Sequence, residues 1–141
     1  MRVWGARLGL ISLLLMPGAA LAQEEDQPEL DCDNAVSQTE MTGCAERDFN
    51  EADAALNAQY RKTRAAMRRS DAEYDKDQQG AEAALVTAQR AWIQYRDGHC
   101  DAYGFQAHLG SLEPMLIYAC SAELTRARTK ELKVLEEGDQ N

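Results

Sequence analysis

The sequence predicts an all-α protein: an antiparallel helical hairpin with a third helix packed on it, stabilised by disulfide bonds. Three stretches place apolar residues at steps of three and four, which is the spacing of one face of an α-helix. No stretch of useful length alternates as a β-strand does. Four cysteines occur in a chain of 141 residues, an even count that is typical of a disulfide framework in a short exported protein.

Residues 1–22 have the organisation of a signal peptide. Arg2 and Arg7 form a short basic region, an apolar run covers residues 8–16, and Ala20-Leu21-Ala22 has the pattern of a cleavage site. The run is far shorter than the roughly 20 residues that cross a bilayer, so a retained membrane anchor is the less favoured alternative. We expect cleavage after Ala22, no stable membrane anchor afterwards, and a periplasmic or secreted location.

The processed chain is strongly acidic. All 24 Asp and Glu residues follow Ala22, together with 13 of the 15 Lys and Arg residues, which gives a formal charge of −11. This charge argues against nucleic acid as a partner, because phosphate binding requires a basic surface. It favours a basic protein as a partner, although the charge could serve solubility alone. Residues 23–34, with six acids, are expected to form an acidic flexible tail.

The first helix is predicted to begin at a capping box. Ser37-Gln38-Thr39-Glu40 has the required pattern of a hydroxyl followed three residues later by Glu. Acidic residues lie early and basic residues late, in agreement with the helix dipole. The apolar seam then runs in steps of three and four through Met41, Ala45, Phe49, Ala52, Leu56, Tyr60, Thr63 and Met67.

Two further helices are predicted after a polar connection at residues 70–80. The second begins near Ala81, and its apolar face carries Ala81, Leu85, Ala88, Trp92, Tyr95 and His99. An ordered loop is expected at residues 101–114, followed by a third helix from Glu113 or Pro114 to Gly138. The three helices would form a single domain over residues 35–137.

The cysteines are expected to pair as Cys32–Cys44 and Cys100–Cys120, because each pair brackets one short connection, although three pairings are possible. Each bond would contribute about 3 kcal/mol by restricting the unfolded chain. A zinc site is the less favoured alternative because no two cysteines have C-x-x-C spacing. We therefore expect no metal.

A polar clamp between helices is predicted from residues that share helix faces with the apolar seams. Asp53 and Asn57 lie on one face of the first helix, and Arg96 lies beside Trp92 on the second. An arginine that is partly removed from water needs an acid or several carbonyls. Asp53 is the candidate acid, and Arg128 of the third helix is a second candidate for the same carboxylate.

The loop between the last two helices is the candidate partner-binding element. Its candidate contact residues are Tyr103, Phe105, His108 and Ser111. Loops on a rigid scaffold often carry binding residues, and exposed aromatic residues act as anchors in protein interfaces. The alternative is that Phe105 and Leu109 fold back and cover a small core.

No catalytic residues are predicted, and we expect neither an enzyme nor a cofactor. A nucleophilic Ser or Cys needs a base within hydrogen-bonding reach. His99 and His108 are the two histidines, and His99 lies on the apolar face, where a satisfied core histidine is the favoured interpretation. Phosphate-binding glycine loops and His-Glu-x-x-His motifs do not occur.

Four blocks of the sequence resemble the LprI-like lysozyme-inhibitor domain, a family of small exported bacterial proteins. Each block contains or adjoins a cysteine or a polar residue discussed above, and together they cover about residues 32–135. The Leu109-Gly110-Ser111 segment supplies part of a Gly-Gly-Ser element that is common in the family. The blocks are Cys32-x-x-Ala35 to Cys44, Ala52-Asp53-x-x-Leu56-Asn57-x-x-Tyr60, Ala88-Gln89-x-x-Trp92-x-x-Tyr95-Arg96-Asp97-x-x-Cys100, and Cys120-x-x-x-Leu124-Thr125-x-x-Arg128-x-x-x-Leu132.

The resemblance implies a helical, periplasmic or secreted protein that binds and inhibits lysozyme-type muramidases. Many host lysozymes are basic, so an acidic partner would be steered towards them. The candidate elements for blocking the enzyme's cleft are the loop at residues 103–114 and the acidic tail. A non-enzymatic module that docks another protein of the cell envelope is the alternative function.

Overall fold

The computed structural model describes residues 30–138, which form three α-helices and one short 3₁₀ helix. The helices are α1 (Gln38–Asp71), α2 (Ala81–Gly104) and α3 (Glu113–Gly138), and the 3₁₀ helix is Phe105–Ala107. No strand occurs within this range, so the all-α prediction is confirmed. The predicted signal peptide and most of the predicted acidic tail, residues 23–29, lie outside the described residues.

The three helices run up, down and up. Asp53 of α1 contacts Arg96 of α2, and Arg68 contacts Glu82, so these helices are antiparallel. By contrast, Gln38 contacts Met115 near the start of both α1 and α3. Thr63 contacts Leu132 near their ends, so α1 and α3 are parallel. This parallel pair makes the most extensive contact in the bundle. The prediction of an α1–α2 hairpin with a third helix packed on it did not include α1–α3 as the main contact.

Helix α1 begins at the predicted capping box. The Ser37 hydroxyl accepts a hydrogen bond from the Glu40 amide at 3.2 Å, and the Glu40 carboxylate accepts one from the Ser37 amide at 2.9 Å. The hydrogen bonds that the Glu40 carboxylate accepts from the Ser37 amide and the Ser37 hydroxyl lower the pKa of Glu40. With 34 residues, α1 is about 51 Å long and spans both ends of the bundle.

The bundle divides into two halves at the level where Asp53 meets Arg96. We call residues 30–53 and 96–126 the disulfide half, because both disulfide bonds lie there, Cys32–Cys44 and Cys100–Cys120. We call residues 54–95 and 127–138 the connection half, because it contains the connection between α1 and α2. The two halves are stabilised by different interactions.

The connection half contains the leucine core. Leu56, Leu85 and Leu132 are buried together, and Tyr60, Met67 and Trp92 pack around them. The buried Thr63 hydroxyl lies 2.9 Å from the Leu132 carbonyl, which satisfies a polar group that would otherwise be costly in this core.

The α1–α2 connection is organised by two acidic side chains. The Asp71 carboxylate accepts hydrogen bonds from the amides of Gly80, Ala81 and Glu82 at 2.8–3.0 Å, and these bonds lower its pKa. Asp71 therefore caps the N-terminus of α2 from the end of α1. The Glu82 carboxylate bridges Arg64 and Arg68 at 2.6 and 2.9 Å.

In the disulfide half, small side chains replace leucines. Its buried apolar residues are Ala52, Cys100 and Ala122. Gly104 contacts the Ile117 side chain so closely that a Cβ at residue 104 would lie 2.5 Å from Ile117 Cγ1. Covalent bonds and close helix contacts thus hold this half together, in place of a large apolar interior.

Residues 30–34 are folded against α1, although the sequence analysis assigned them to the flexible tail. Leu30 lies on Gly43, and Arg47 donates a hydrogen bond to the Leu30 carbonyl at 2.9 Å. The Asp31 carboxylate accepts a hydrogen bond from Asn34 at 2.8 Å. The Cys32–Cys44 bond fixes this segment to the first turns of α1.

Candidate functional site

Arg96 lies at the centre of the predicted polar clamp and is 8% exposed. Its Nη1 atom is 3.2 Å from Asp53 Oδ1 and 3.4 Å from Thr125 Oγ1, and its Nε atom is 2.8 Å from Asp97 Oδ1. These contacts join all three helices at the boundary between the two halves.

Asp53 is in turn held by Asn57, whose amide donates a hydrogen bond to Asp53 Oδ2 at 2.7 Å. Arg128, the second candidate for Asp53, binds elsewhere. Its Nε atom is 3.1 Å from Gln89 Oε1, and Nη1 is 2.9 Å from Glu131 Oε2. The expectation that Arg128 competes for Asp53 is therefore wrong. Gln89 is buried on the same side of α2 as Arg96, and it accepts the hydrogen bond from the Arg128 guanidinium.

Aromatic rings complete this cluster. The Arg96 guanidinium carbon lies 5.0 Å from the centre of the Phe49 ring and 5.3 Å from that of Trp92, and Arg128 lies 6.0 Å from the Trp92 ring. Such stacking favours a cation that has lost part of its water. Phe49 and Thr125 were not predicted as partners of Arg96, because no local spacing links residues on different helices.

The candidate binding loop is shorter than predicted. Helix α2 continues past Cys100 through Tyr103 to Gly104, so Tyr103 is helical and the loop covers only residues 105–112. The prediction that the loop begins at residue 101 is wrong, since the Cys100–Cys120 bond and the Gly104–Ile117 contact hold the extra turn of α2 against α3.

Glu113 fixes the conformation of this loop. Its carboxylate lies 3.1 Å from His108 Nδ1 and accepts a hydrogen bond from the Leu109 amide at 2.8 Å. The contact with His108 has the largest effect in lowering the pKa of Glu113, and the Leu109 hydrogen bond lowers it further. The His108 ring also stacks on Phe105, with 4.3 Å between ring centres. These contacts hold the loop in one conformation.

The loop presents apolar side chains to solvent. Phe105 is 61% exposed and Leu109 is 90% exposed. The alternative in which they cover a small core is therefore wrong, because the Glu113 hydrogen bonds hold the loop with both side chains in solvent. Leu109 also has a φ of 64°, a left-handed conformation that is uncommon for residues with a branched side chain. Ser111 is exposed beside this tip.

His99 is exposed on the outer face of α2 and stacks on Tyr95, with 5.4 Å between ring centres. The favoured interpretation of a core histidine is wrong. Gln89, Arg96 and Cys100 take the buried face of α2, because they make the contacts of the polar clamp and the disulfide, which leaves Tyr95 and His99 in solvent.

The charge of the described residues is unevenly distributed. The disulfide half carries eleven Asp and Glu residues and three Arg residues, a formal charge of −8. The connection half carries eight acidic and ten basic residues, a formal charge of +2. The exposed loop thus lies at the negative end of the molecule.

The described range holds no group of three His, Cys, Asp or Glu side chains that could bind a metal ion. None of its helices is both long enough and apolar enough to cross a membrane. The arrangement of exposed apolar residues on a rigid loop is suited to binding another molecule.

Comparison with known proteins identifies the family to which the chain belongs. A model of the lysozyme inhibitor LprI family matches residues 32–132. An uncharacterised protein of Rhizobium meliloti (strain 1021) is 48% identical over 144 aligned residues, with both chains covered completely. No solved structure matches the chain. Since the family model covers α1, α2, most of α3 and both disulfide bonds, this chain belongs to the LprI lysozyme inhibitor family.

Proposed function

We propose that this protein is exported, loses residues 1–22, and acts outside the cytoplasm as a non-enzymatic inhibitor of lysozyme-type muramidases. Its partner-binding surface is the tip of the disulfide half, formed by Phe105, His108, Leu109 and Ser111 with the neighbouring Tyr103. The observation that supports this most directly is the exposure of Phe105 and Leu109 at the acidic end of the bundle.

The exposed tip has the properties of an interface anchor. Aromatic and aliphatic side chains that enter a pocket on a partner supply most of the binding energy in many complexes. The hydrogen bonds to Glu113 fix the loop in advance, so little conformational entropy is lost on binding.

Charge would select the partner. A formal charge of −8 in the half that carries the tip attracts a basic protein and orients it towards that half. Nucleic acid would be repelled by the same field. Lysozyme-type muramidases hold two catalytic carboxyl groups in an open cleft, and a protruding loop seated in such a cleft would exclude the glycan substrate.

Inhibition can be tested with the processed protein, residues 23–141, and a basic lysozyme. We expect the protein to slow the lysis of bacterial cell walls at micromolar concentration and low salt. The effect should weaken as salt rises, because screening shortens the range of the attraction. Each salt concentration needs a control without inhibitor. An unchanged rate of lysis at low salt would contradict the proposal.

The binding surface can be tested with two matched double variants. Phe105→Ser with Leu109→Ser removes the apolar tip, whereas Tyr74→Ser with Val134→Ser removes side chains of similar exposure, 56% and 66%, from the connection half. We expect the first pair to lower affinity by at least about tenfold, or roughly 1.4 kcal/mol. The second pair should bind as the unaltered protein does. Equal effects of the two pairs would contradict the assignment of the surface.

The alternative function, docking of another envelope protein, would use the same exposed tip. This alternative would be favoured by two results together. The unaltered protein would leave lysozyme activity unchanged, and the tip variants would lose binding to another exported basic protein. Export itself is tested by the mass of the protein recovered from the periplasm or medium, which should correspond to a chain that begins at Gln23.

A further inference from the structure

A groove lies between α2 and α3 in the disulfide half, next to the Cys100–Cys120 bond. Cys120 lies in its wall, and the disulfide fixes the spacing of the two helices. The groove has a volume of about 290 Å³ and is lined by His99, Tyr103, Leu116, Ala119, Cys120, Glu123 and Leu124.

The groove combines aromatic walls with one carboxylate. Helical spacing places His99 and Tyr103 one turn apart on α2, and Leu116 and Glu123 two turns apart on α3. Within residues 30–138, the Glu123 side chain makes no ion pair and no hydrogen bond to another side chain. An exposed carboxylate beside an exposed aromatic ring can bind a cation by both charge and ring stacking.

The size and surroundings of the groove restrict its occupant. Pockets for small organic ligands generally begin at about 300 Å³, so this groove lies at the lower end of that range and has room for one long side chain. Asp97 and Asp101 lie on the exposed surface of α2 near the groove, and the disulfide half has a formal charge of −8. An anionic occupant is therefore disfavoured, and a cationic one is attracted.

We propose that this groove binds an arginine or lysine side chain of the basic partner, with Glu123 paired to the cation and Tyr103 stacked on it. This inference rests on the proposed function, because it identifies a second anchor for the same partner beside the apolar tip. Arginine is preferred over lysine, since its planar guanidinium can stack on a ring and bind a carboxylate through two hydrogen bonds.

A more apolar groove elsewhere in the bundle lacks this chemistry. It lies in the connection half and is lined by Met67, Leu85, Leu135, three alanines and Arg128. With a cation in its wall and no carboxylate, it has no means of attracting a basic side chain. It therefore serves as an internal reference for the groove between α2 and α3.

The first test measures the affinity for a basic lysozyme. Glu123→Gln and Tyr103→Ala should each weaken binding by about tenfold. The matched controls are Glu137→Gln, an exposed glutamate on the same helix in the connection half, and Tyr74→Ala. Both controls should leave the affinity within twofold of the starting value. Lysozyme binding that is unchanged by Glu123→Gln and Tyr103→Ala, but lost with the tip variants, would overturn the groove assignment and leave the proposed function standing.

The second test does not depend on lysozyme. Blocked arginine, Nα-acetyl-arginine methylamide, is titrated at millimolar concentration, and the methyl resonances of Leu116 and Leu124 are followed by NMR. We expect shifts with arginine and not with the matching citrulline compound, which has the same shape without the charge. The shifts should disappear in Glu123→Gln. Equal shifts with citrulline, or none with arginine, would overturn the inference. Shifts with arginine in a protein that fails to bind lysozyme would support the groove and refute the proposed function.

Discussion

The two halves of this bundle are held together by different means, an apolar core in one and covalent cross-links in the other. The connection half buries Leu56, Leu85 and Leu132. The contacts of Asp71 and Glu82 stabilise its connection between α1 and α2. The disulfide half buries mainly small residues and is held by two covalent bonds. It also carries the exposed tip and most of the negative charge.

The difference shows how a small protein can leave large apolar side chains free for a partner. A domain of this size has little apolar surface to bury, and most of its large aliphatic core residues are used in the connection half. In the disulfide half, cross-links restrict the unfolded chain, so Phe105 and Leu109 are not required inside.

The largest effect is expected from removing the Cys100–Cys120 bond with Cys100→Ala and Cys120→Ala. The cross-link spans a sequence separation of 20 residues, and its loss should lower the free energy of unfolding by about 3 kcal/mol. Denaturation in urea measures this loss. Native-state hydrogen exchange should show lost protection mainly in residues 96–126. Uniform loss across both halves would mean that they form one cooperative unit.

Arg96→Met should lower the free energy of unfolding by about 2 kcal/mol, because the buried guanidinium joins Asp53, Asp97 and Thr125 at the junction of the halves. Asp53→Asn should lower the free energy of unfolding by less than Arg96→Met does, since the Asp53 side chain is 37% exposed.

A double-mutant cycle isolates the pair. The Asp53→Asn and Arg96→Met double variant should lose about 1 kcal/mol less stability than the sum of the single losses. Arg128→Met serves as the control, since Arg128 does not bind Asp53. Additive losses for Asp53 and Arg96 would show that their contact does not act as a clamp.

Gly104→Ala should lower the free energy of unfolding by about 1 kcal/mol, because the added Cβ would lie 2.5 Å from Ile117 Cγ1 and force a repacking of this contact. Gly98→Ala in the same helix has no atom within 4 Å of the added Cβ. It should raise stability by about 0.5–1 kcal/mol through helix propensity. Thermal unfolding of the two variants compares them directly, and equal shifts would refute the close contact.

The smallest effect is a pH dependence located in the connection half. The three amide hydrogen bonds hold the pKa of Asp71 below its ordinary value of 3.8. Its contribution to stability is therefore complete above that pH and is lost as the pH falls through the lowered folded-state value. We expect Asp71→Asn to be less stable than the original protein at neutral pH, with the difference shrinking below about pH 4. A difference that is constant down to acid pH would show that the carboxylate charge is unimportant.

Local signals predicted the start of each helix well. The capping box at Ser37 and Glu40 has the expected bonds, and α2 and α3 begin at Ala81 and Glu113. Asp71 as the cap of α2 was missed, because it lies nine residues before Gly80 and capping rules consider only adjacent residues.

The sequence by itself determined the all-α class, the helix starts, the preferred cysteine pairs and the acidic character, since each depends on local spacing or composition. The tertiary structure decided which face of α2 is buried, and it extended α2 to Gly104. It also selected Arg96 over Arg128 as the partner of Asp53 and placed Phe105 and Leu109 in solvent. These outcomes depend on contacts between helices that are far apart in the chain, and no pattern within one helix contains that information.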